Sequence, residues 1–293
     1  MPIGLVMEGG AMRGLFTAGV LDVLLENGIV FDGGIGVSAG ACFGCNYKSK
    51  QAGRAVRYNL RFCKEWRYSS FRSWLTTGDV FGAKFCYHDI PEKLDPFDCA
   101  TYDANPMRFF AVCTDIETGE PIYHECPTID ANTLLWFQAS ASMPLVSRIV
   151  HCEGLKLLDG GMSDSIPLKA MEDLGFERNV VILTQPLGYV KGPNPLTPLL
   201  RLIYRKYPRL VEAIANRHNV YNAQTAYVEK REKEKVALVL RPPQKLPTHH
   251  VDHDENHLRA AYNIGRQVAE EQLPNIREFV QGTSHKSNLP SQS

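Results

Sequence analysis

The sequence predicts an α/β fold of three layers, α/β/α, with a central, mostly parallel sheet and helices on both faces. Two observations near the start carry this. Ile3–Met7 and Gly34–Val37 are short apolar runs, each closed by a turn, and each leads into a segment with helical spacing. Strand, turn and helix twice in succession imply parallel strands joined by helical crossovers. A third observation, the β-branched run Asn179–Thr184, extends the same sheet late in the chain.

The elements follow in order. Ile3–Met7 reads as a buried strand ended by Glu-Gly-Gly, and residues 13–26 space their apolar positions three and four apart until Asn27-Gly28 stops the helix. A helix of small residues starts at Ala39. Phe109–Thr114 is a strand, and Glu117–Glu120 turns it back into Ile122–His124. Residues 130–141 form a helix. Val146–Val150 and Leu155–Leu158 form a second hairpin around Glu153-Gly154, ending at Asp159-Gly160-Gly161. Ile166–Leu174 is helical, long helices cover 197–230 and 256–272, and Val236–Leu240 is a strand between them.

Nothing Pro-, Gly- or Ser-rich divides the chain, so residues 1–283 are expected to form one domain, with 284–293 (SHKSNLPSQS from Ser284) as a disordered tail. The formal net charge is zero, which removes any global argument for nucleic-acid binding. No apolar run approaches the ~18 residues of a membrane span. The opening MPIGLVMEGG does not resemble a signal peptide. The eight cysteines are scattered beside apolar residues, and the Cys42/Cys45 pair has no zinc-spaced second pair, so buried, reduced thiols are expected. The expectation is a cytoplasmic protein, soluble or resting on the inner membrane face.

Three segments carry chemistry. Gly36-Val37-Ser38-Ala39-Gly40 is a G-x-S-x-G where a strand meets a helix. Glycines flank the serine because so sharp a turn leaves no room for side chains, and the turn exposes Oγ at a helix N-terminus that favours negative charge. The loop Glu8-Gly9-Gly10-Ala11-Met12-Arg13-Gly14 lies between the first strand and first helix. Its small residues let backbone N–H groups converge on one point, as an oxyanion hole requires. A phosphate-binding loop is the rival reading. Ala11 breaks G-x-G-x-x-G at its third position, and no Gly-Lys-Ser/Thr follows. Asp159-Gly160-Gly161, after an apolar strand, could bring a carboxylate close to a hydroxyl, although alone it reads equally as a turn.

In this order and spacing, EGGAMRG, GVSAG and DGG resemble the bacterial patatin-like phospholipases, and Ala139–Pro144 (ASASMP) is similar to that family's small-residue-proline element. The resemblance covers roughly residues 3 to 270. It implies a serine acyl hydrolase acting on a lipid or fatty-acyl ester, with Ser38 as nucleophile and Asp159 as its base. It further implies that Gly9, Gly10 and Ala11 form the oxyanion hole with Arg13 and Gly14 beside it, and that Gly36, Gly40, Gly160 and Gly161 shape the turns. No cofactor and no metal are called for. Ala11 departs from the family's common third glycine. Its N–H survives, provided the backbone angle there is not one reserved for glycine. A Ser-His-Asp hydrolase also uses G-x-S-x-G, but places several strands before its nucleophile, where this chain has one.

Other features admit two readings each. Arg13 either pairs at the helix start or meets a lipid phosphate. Residues 48–72 hold eight basic side chains against Glu65, interleaved with aromatics, and Arg54, Arg57, Arg61 and Lys64 share a helix face. That face suits an anionic membrane surface, or is balanced by the acidic stretch Asp79–Asp103. Residues 191–217 form an interfacial lid or an ordinary surface helix. THHVDHDENH could hold a metal, or Asp254–Asn256 caps the following helix. For the whole chain, a non-catalytic lipid- or partner-binding protein that keeps the fold is the alternative to the hydrolase.

Overall fold

The computed structural model describes residues 1–282; the expected tail, 284–293, lies outside the described residues. Eight strands form one sheet: β1 (Ile3–Met7), β2 (Gly33–Val37), β3 (Arg108–Asp115), β4 (Pro121–Glu125), β5 (Val150–Cys152), β6 (Leu155–Asp159), β7 (Arg178–Ile182) and β8 (Ala237–Leu240). Their order is β5-β6-β3-β2-β1-β7-β8, with β4 also on β3. The pairs β1–β2, β1–β7, β2–β3 and β7–β8 are parallel, and the antiparallel pairs all lie on the β3 side.

Strand side chains alternate between two cores, as pleating requires. Leu5 and Met7 pack on one face with α1 (Gly14–Glu26), α2 (Ala39–Lys48), α6 (Ala131–Ser140) and α10 (Glu255–Gln281). Val6, Ile35 and Val37 pack on the other, with α7 (Leu168–Asp173) and α9 (Pro208–Lys233). α10 lies along α1, where the Tyr262 hydroxyl donates to Asp22 (2.7 Å) and Arg266 pairs with Glu26 (2.7 Å).

Register brings the motif segments to one edge. Met7 pairs with Gly36 across β1–β2, so the loop after β1 and the residue after β2 leave the sheet together. Val37 pairs with Val112, and Cys113 with Asp159, which carries the end of β6 to the same place. This is the carboxyl end of the parallel strands, where open α/β sheets hold their ligands.

Between α2 and β3, the helical spacing of Arg54, Arg57 and Arg61 falls on α3 (Arg54–Phe62), while the periodicity did not resolve α4 (Phe71–Thr77), a π-helix over Phe85–Leu94 and α5 (Cys99–Ala104). Two expected elements are corrected. Val146 and Ser147 are not strand, because Leu145 takes φ 71 and turns the chain, leaving only Val150–Cys152 to pair. The helical stretch from 197 is two helices, α8 (Thr197–Ile203) and α9, interrupted before Pro208, whose ring and missing N–H cannot continue a helix. α10 runs beyond the expected end at 272 and contains Pro274.

Candidate active site

Ser38 caps α2 with φ 55 and ψ −122, a backbone state costly for any residue with a side chain. The flanking glycines make it feasible by contact. A Cβ on Gly36 would fall 2.5 Å from the Ala41 nitrogen, and one on Gly40 would fall 2.4 Å from the Met7 carbonyl oxygen. Ser140 fixes the turn from below: its hydroxyl donates to the Val112 carbonyl (2.7 Å) and accepts from the Ser38 N–H (2.9 Å). Asp159 is held by its own backbone, whose N–H donates to the Ser142 carbonyl (2.8 Å). The small-residue segment 139–144 therefore ties the serine turn to the aspartate strand, a role its composition alone does not reveal.

Asp159 Oδ1 accepts the Gly161 N–H at 2.7 Å, and the Ser38 hydroxyl is near enough to favour the charged form of its carboxylate. The aspartate is only 3% exposed. Burial lifts its carboxyl above the ordinary aspartate value, opposed by the Ser38 hydroxyl, the Arg217 charge and the Gly161 N–H. Gly160 sits hard against β3, where a Cβ would come 2.2 Å from the Val112 oxygen. Among the described residues no histidine hydrogen-bonds to Ser38 or Asp159; His124, for one, lies stacked on Trp136 at 4.0 Å.

The Gly-rich loop is anchored at its first residue. Glu8 is buried, its carboxylate accepting from the Thr184 N–H and from the Tyr221 hydroxyl (2.7 Å), so the ends of β1 and β7 and the middle of α9 meet on it. Burial raises the Glu8 carboxyl above its usual range against those hydrogen bonds. The N–H groups of Gly9, Gly10 and Ala11 donate to no backbone acceptor among the described residues. Ala11 does adopt the left-handed region, φ 48, tolerated by alanine at modest cost. Gly14 begins α1 against Ala39 and Phe43. Arg13 forms no ion pair among the described residues; its Nη1 meets His250 Nε2 at 3.3 Å.

Ser38, Ala39, Ala11 and Met12 open onto a cavity of about 220 Å³. Its walls are mainly apolar, with Phe43, Tyr58, Phe81, Ile90, Phe97 and Phe137 among them, so the region between α2 and β3 roofs it. Such a space accommodates a hydrocarbon chain ending at Ser38. Cys42 and Cys45 lie in the same wall, and burial pushes their thiols up to about 11 and about 12, which leaves them protonated and unreactive.

The basic face of α3 is only partly balanced. Arg54 and Arg57 both pair with the buried Asp95, Arg61 donates to the Leu94 carbonyl, and Lys64 pairs with Glu255. Asp254 caps α10 by accepting from the Asn256 N–H (2.8 Å). Among the described residues no group of three His, Cys, Asp or Glu side chains is placed to hold a metal, and no helix is long and apolar enough to cross a membrane.

Known proteins resemble this chain in sequence. The family model described as patatin-like phospholipase matches residues 5–171, more than half of the chain, and a model for a domain of unknown function matches residues 207–281. The Escherichia coli protein YjjU, described as uncharacterized, is 28% identical over 272 residues, covering 90% of this chain and 75% of that protein. Lysophospholipase nte1 of Aspergillus terreus is 28% identical over 201 residues, 66% of this chain. The match spans only 12% of that much longer enzyme. Among solved structures, VipD of Legionella pneumophila superposes with a TM-score of 0.47 at 12% identity, covering 94% of this chain and 67% of that one.

Proposed function

The chain belongs to the patatin-like phospholipase family, and from that membership we propose that it is a serine acyl hydrolase working through a Ser38–Asp159 dyad. The observation that carries the proposal is the strained, helix-capping Ser38 beside a buried aspartate at the mouth of an apolar cavity. Asp159 takes the Ser38 proton as Oγ attacks the ester carbonyl, and the N–H groups of Gly9, Gly10 and Ala11 receive the oxyanion. Collapse of the tetrahedral intermediate expels the alcohol, which takes the proton back from Asp159. Water, deprotonated by Asp159, then attacks the acyl carbonyl, and the acid is released as Asp159 returns that proton to the departing Ser38 Oγ. A carboxylate is a weak base toward a hydroxyl. Its elevated proton affinity, the α2 dipole and convergent N–H groups together compensate by stabilising the charge that develops.

The lipid ester is the substrate class we assign, with lysophospholipids, named in the fungal relatives, as its first members to test. β8 and α10 share the sheet and the core with the family-matched half, so we treat residues 1–282 as one catalytic unit. A membrane contact through 48–72 would take its apolar groups from the exposed Phe71, with Trp74 and Leu75 on α4. The test is p-nitrophenyl ester hydrolysis and labelling by a fluorophosphonate. Ser38→Ala should lose both, and Asp159→Asn should lose hydrolysis. Wild-type turnover in either purified variant removes that residue from the mechanism, and an unlabelled, folded wild type favours a non-catalytic binding protein.

A further inference from the structure

Three cations beside the dyad have no role in the steps above. Arg13 lies at the start of α1, Lys191 in the loop before α8, and Arg217 in α9. None of them makes an ion pair within 4.0 Å among the described residues, and none lines the apolar cavity. Arg13 Nε and Arg217 Nε are buried with no hydrogen-bond partner, and they are the two guanidinium nitrogens in that condition among the described residues. An orphaned buried donor is costly unless a ligand satisfies it.

Geometry places the three around one spot. Lys191 Nζ sits 4.4 Å from the centroid of Tyr221, whose hydroxyl donates to Glu8, and the Lys191 backbone is held by Asn222 (2.8 Å). Arg217 Nη2 lies 3.2 Å from where a Gly161 Cβ would stand, next to the Asp159 carboxylate. Arg13 borders the Gly-rich loop. Mutual repulsion is felt: burial and then the neighbouring Arg217 charge bring Lys191 down to about 8. His250, brought down to about 4 by burial and by these same cations, stays neutral at pH 7 and can accept from Arg13. Against three cations stand Glu8 and Asp159, both with elevated carboxyls, so positive charge is in excess.

We infer that Arg13, Lys191 and Arg217 form a subsite for a phosphate group, and that it receives the phosphate-bearing head of the ester whose acyl chain fills the apolar cavity. The inference rests on the acyl-hydrolase reading for its lipid part, but the anion site stands on the orphaned cations alone. Two of its three residues lie outside the family-matched span 5–171. Guanidinium forks suit phosphate oxygens because they donate two parallel hydrogen bonds, and an ammonium adds a point charge.

The test compares 1-oleoylglycerol with 1-oleoylglycerol 3-phosphate, esters that differ only by the phosphate, in wild type, Lys191→Gln, Arg217→Gln and Arg217→Lys. The ratio of kcat/KM values, phosphate ester over neutral ester, should fall roughly tenfold or more in each Gln variant, as expected when one charge-assisted hydrogen bond to the phosphate is removed, and recover in part in Arg217→Lys. A second arm titrates inorganic phosphate by thermal shift; wild type should gain stability and the Gln variants should not. An unchanged ratio in both Gln variants overturns the head-group assignment. If phosphate stabilisation is nonetheless abolished in them, the site takes free phosphate. No stabilisation of wild type and an unchanged ratio overturn the site itself. A wild type that cleaves neither ester counts against the acyl-hydrolase reading, while the phosphate titration still decides the anion site. Should Arg217→Gln fail to fold, Lys191→Gln, in a half-exposed loop, carries both arms.

Discussion

Gly40→Ala separates a motif that matters as geometry from one that merely marks a family. On helix propensity alone the change should help, since alanine is favoured over glycine inside a helix by about 1 kcal/mol. Contact decides otherwise. The new Cβ would stand 2.4 Å from the Met7 carbonyl oxygen and 3.0 Å from that of Glu8, both backbone atoms without a side chain's freedom to swing away. Reaching an ordinary contact of 3.4 Å requires α2 and the end of β1 to part by about 1 Å. Overpacking of this kind costs about 1–3 kcal/mol, so the net loss of stability is about 0–2 kcal/mol. The same displacement carries Ser38 away from Gly9–Ala11, and a 1 Å misplacement of reacting groups costs about 100-fold in rate. The expected result is a modest shift in the guanidinium midpoint with kcat/KM on a p-nitrophenyl ester reduced about 100-fold. Gly192→Ala, where a Cβ meets nothing within 4 Å, serves as control. Gly40→Ala retaining more than a third of wild-type kcat/KM would refute the reasoning.

Two further outcomes follow from the site's electrostatics and backbone. Asp159 must be ionised to act, and its carboxyl lies above the usual range, so kcat/KM should fall on the acid side at a higher pH than an exposed aspartate would give. Arg217 pulls that value down; Arg217→Gln should therefore move the acid limb to higher pH and Arg217→Lys should restore it, read from the pH–rate profile, whereas a limb fixed in both variants would deny any coupling. At Ala11, held at φ 48, glycine relieves backbone strain but gives the unfolded chain more freedom, so Ala11→Gly should change unfolding free energy by less than about 1 kcal/mol and keep ester turnover; a large loss of activity would mean that the methyl group itself is needed.

The parts of the fold visible in the sequence are those where local pattern and tertiary role agree. Ile3–Met7 and Gly33–Val37 are buried on both sides in a parallel sheet, which a short apolar run reports directly. Residues 71–104 escaped because their helices are short and serve to roof a cavity, so apolar residues there answer to the cavity and not to a helical stripe; the π-helix over Phe85–Leu94 even encloses Pro91. Val146 is apolar for the same reason, since it lines the cavity after the Leu145 turn. Within the site, Ser38 could be located from its neighbours in sequence because glycines at two fixed offsets record a steric demand. Asp159 could not be paired with it by any local signal. Their proximity runs through the β2–β3 and β3–β6 registers, which only the folded sheet specifies; their pairing as a dyad is what the family resemblance implies.

The pairing of β1 with β7 explains why the span that matches the family model does not by itself hold the Gly-rich loop. That span stops at residue 171, before β7, yet β1 pairs with β7 along its full length, and the Glu8 carboxylate at the end of β1 is held by the Thr184 N–H after β7 and the Tyr221 hydroxyl in α9. Glu8 opens the Gly-rich loop. A carboxylate buried there without those donors would carry an unmet desolvation cost and would pull the loop toward water. The Gly-rich loop is thus held in place by residues beyond the span that matches the family model. Periodicity could only show α9 as a helix with a buried side; that one turn of it braces the Gly-rich loop through Tyr221, and the preceding turn brings Arg217 beside Asp159, follows from where the helix is docked.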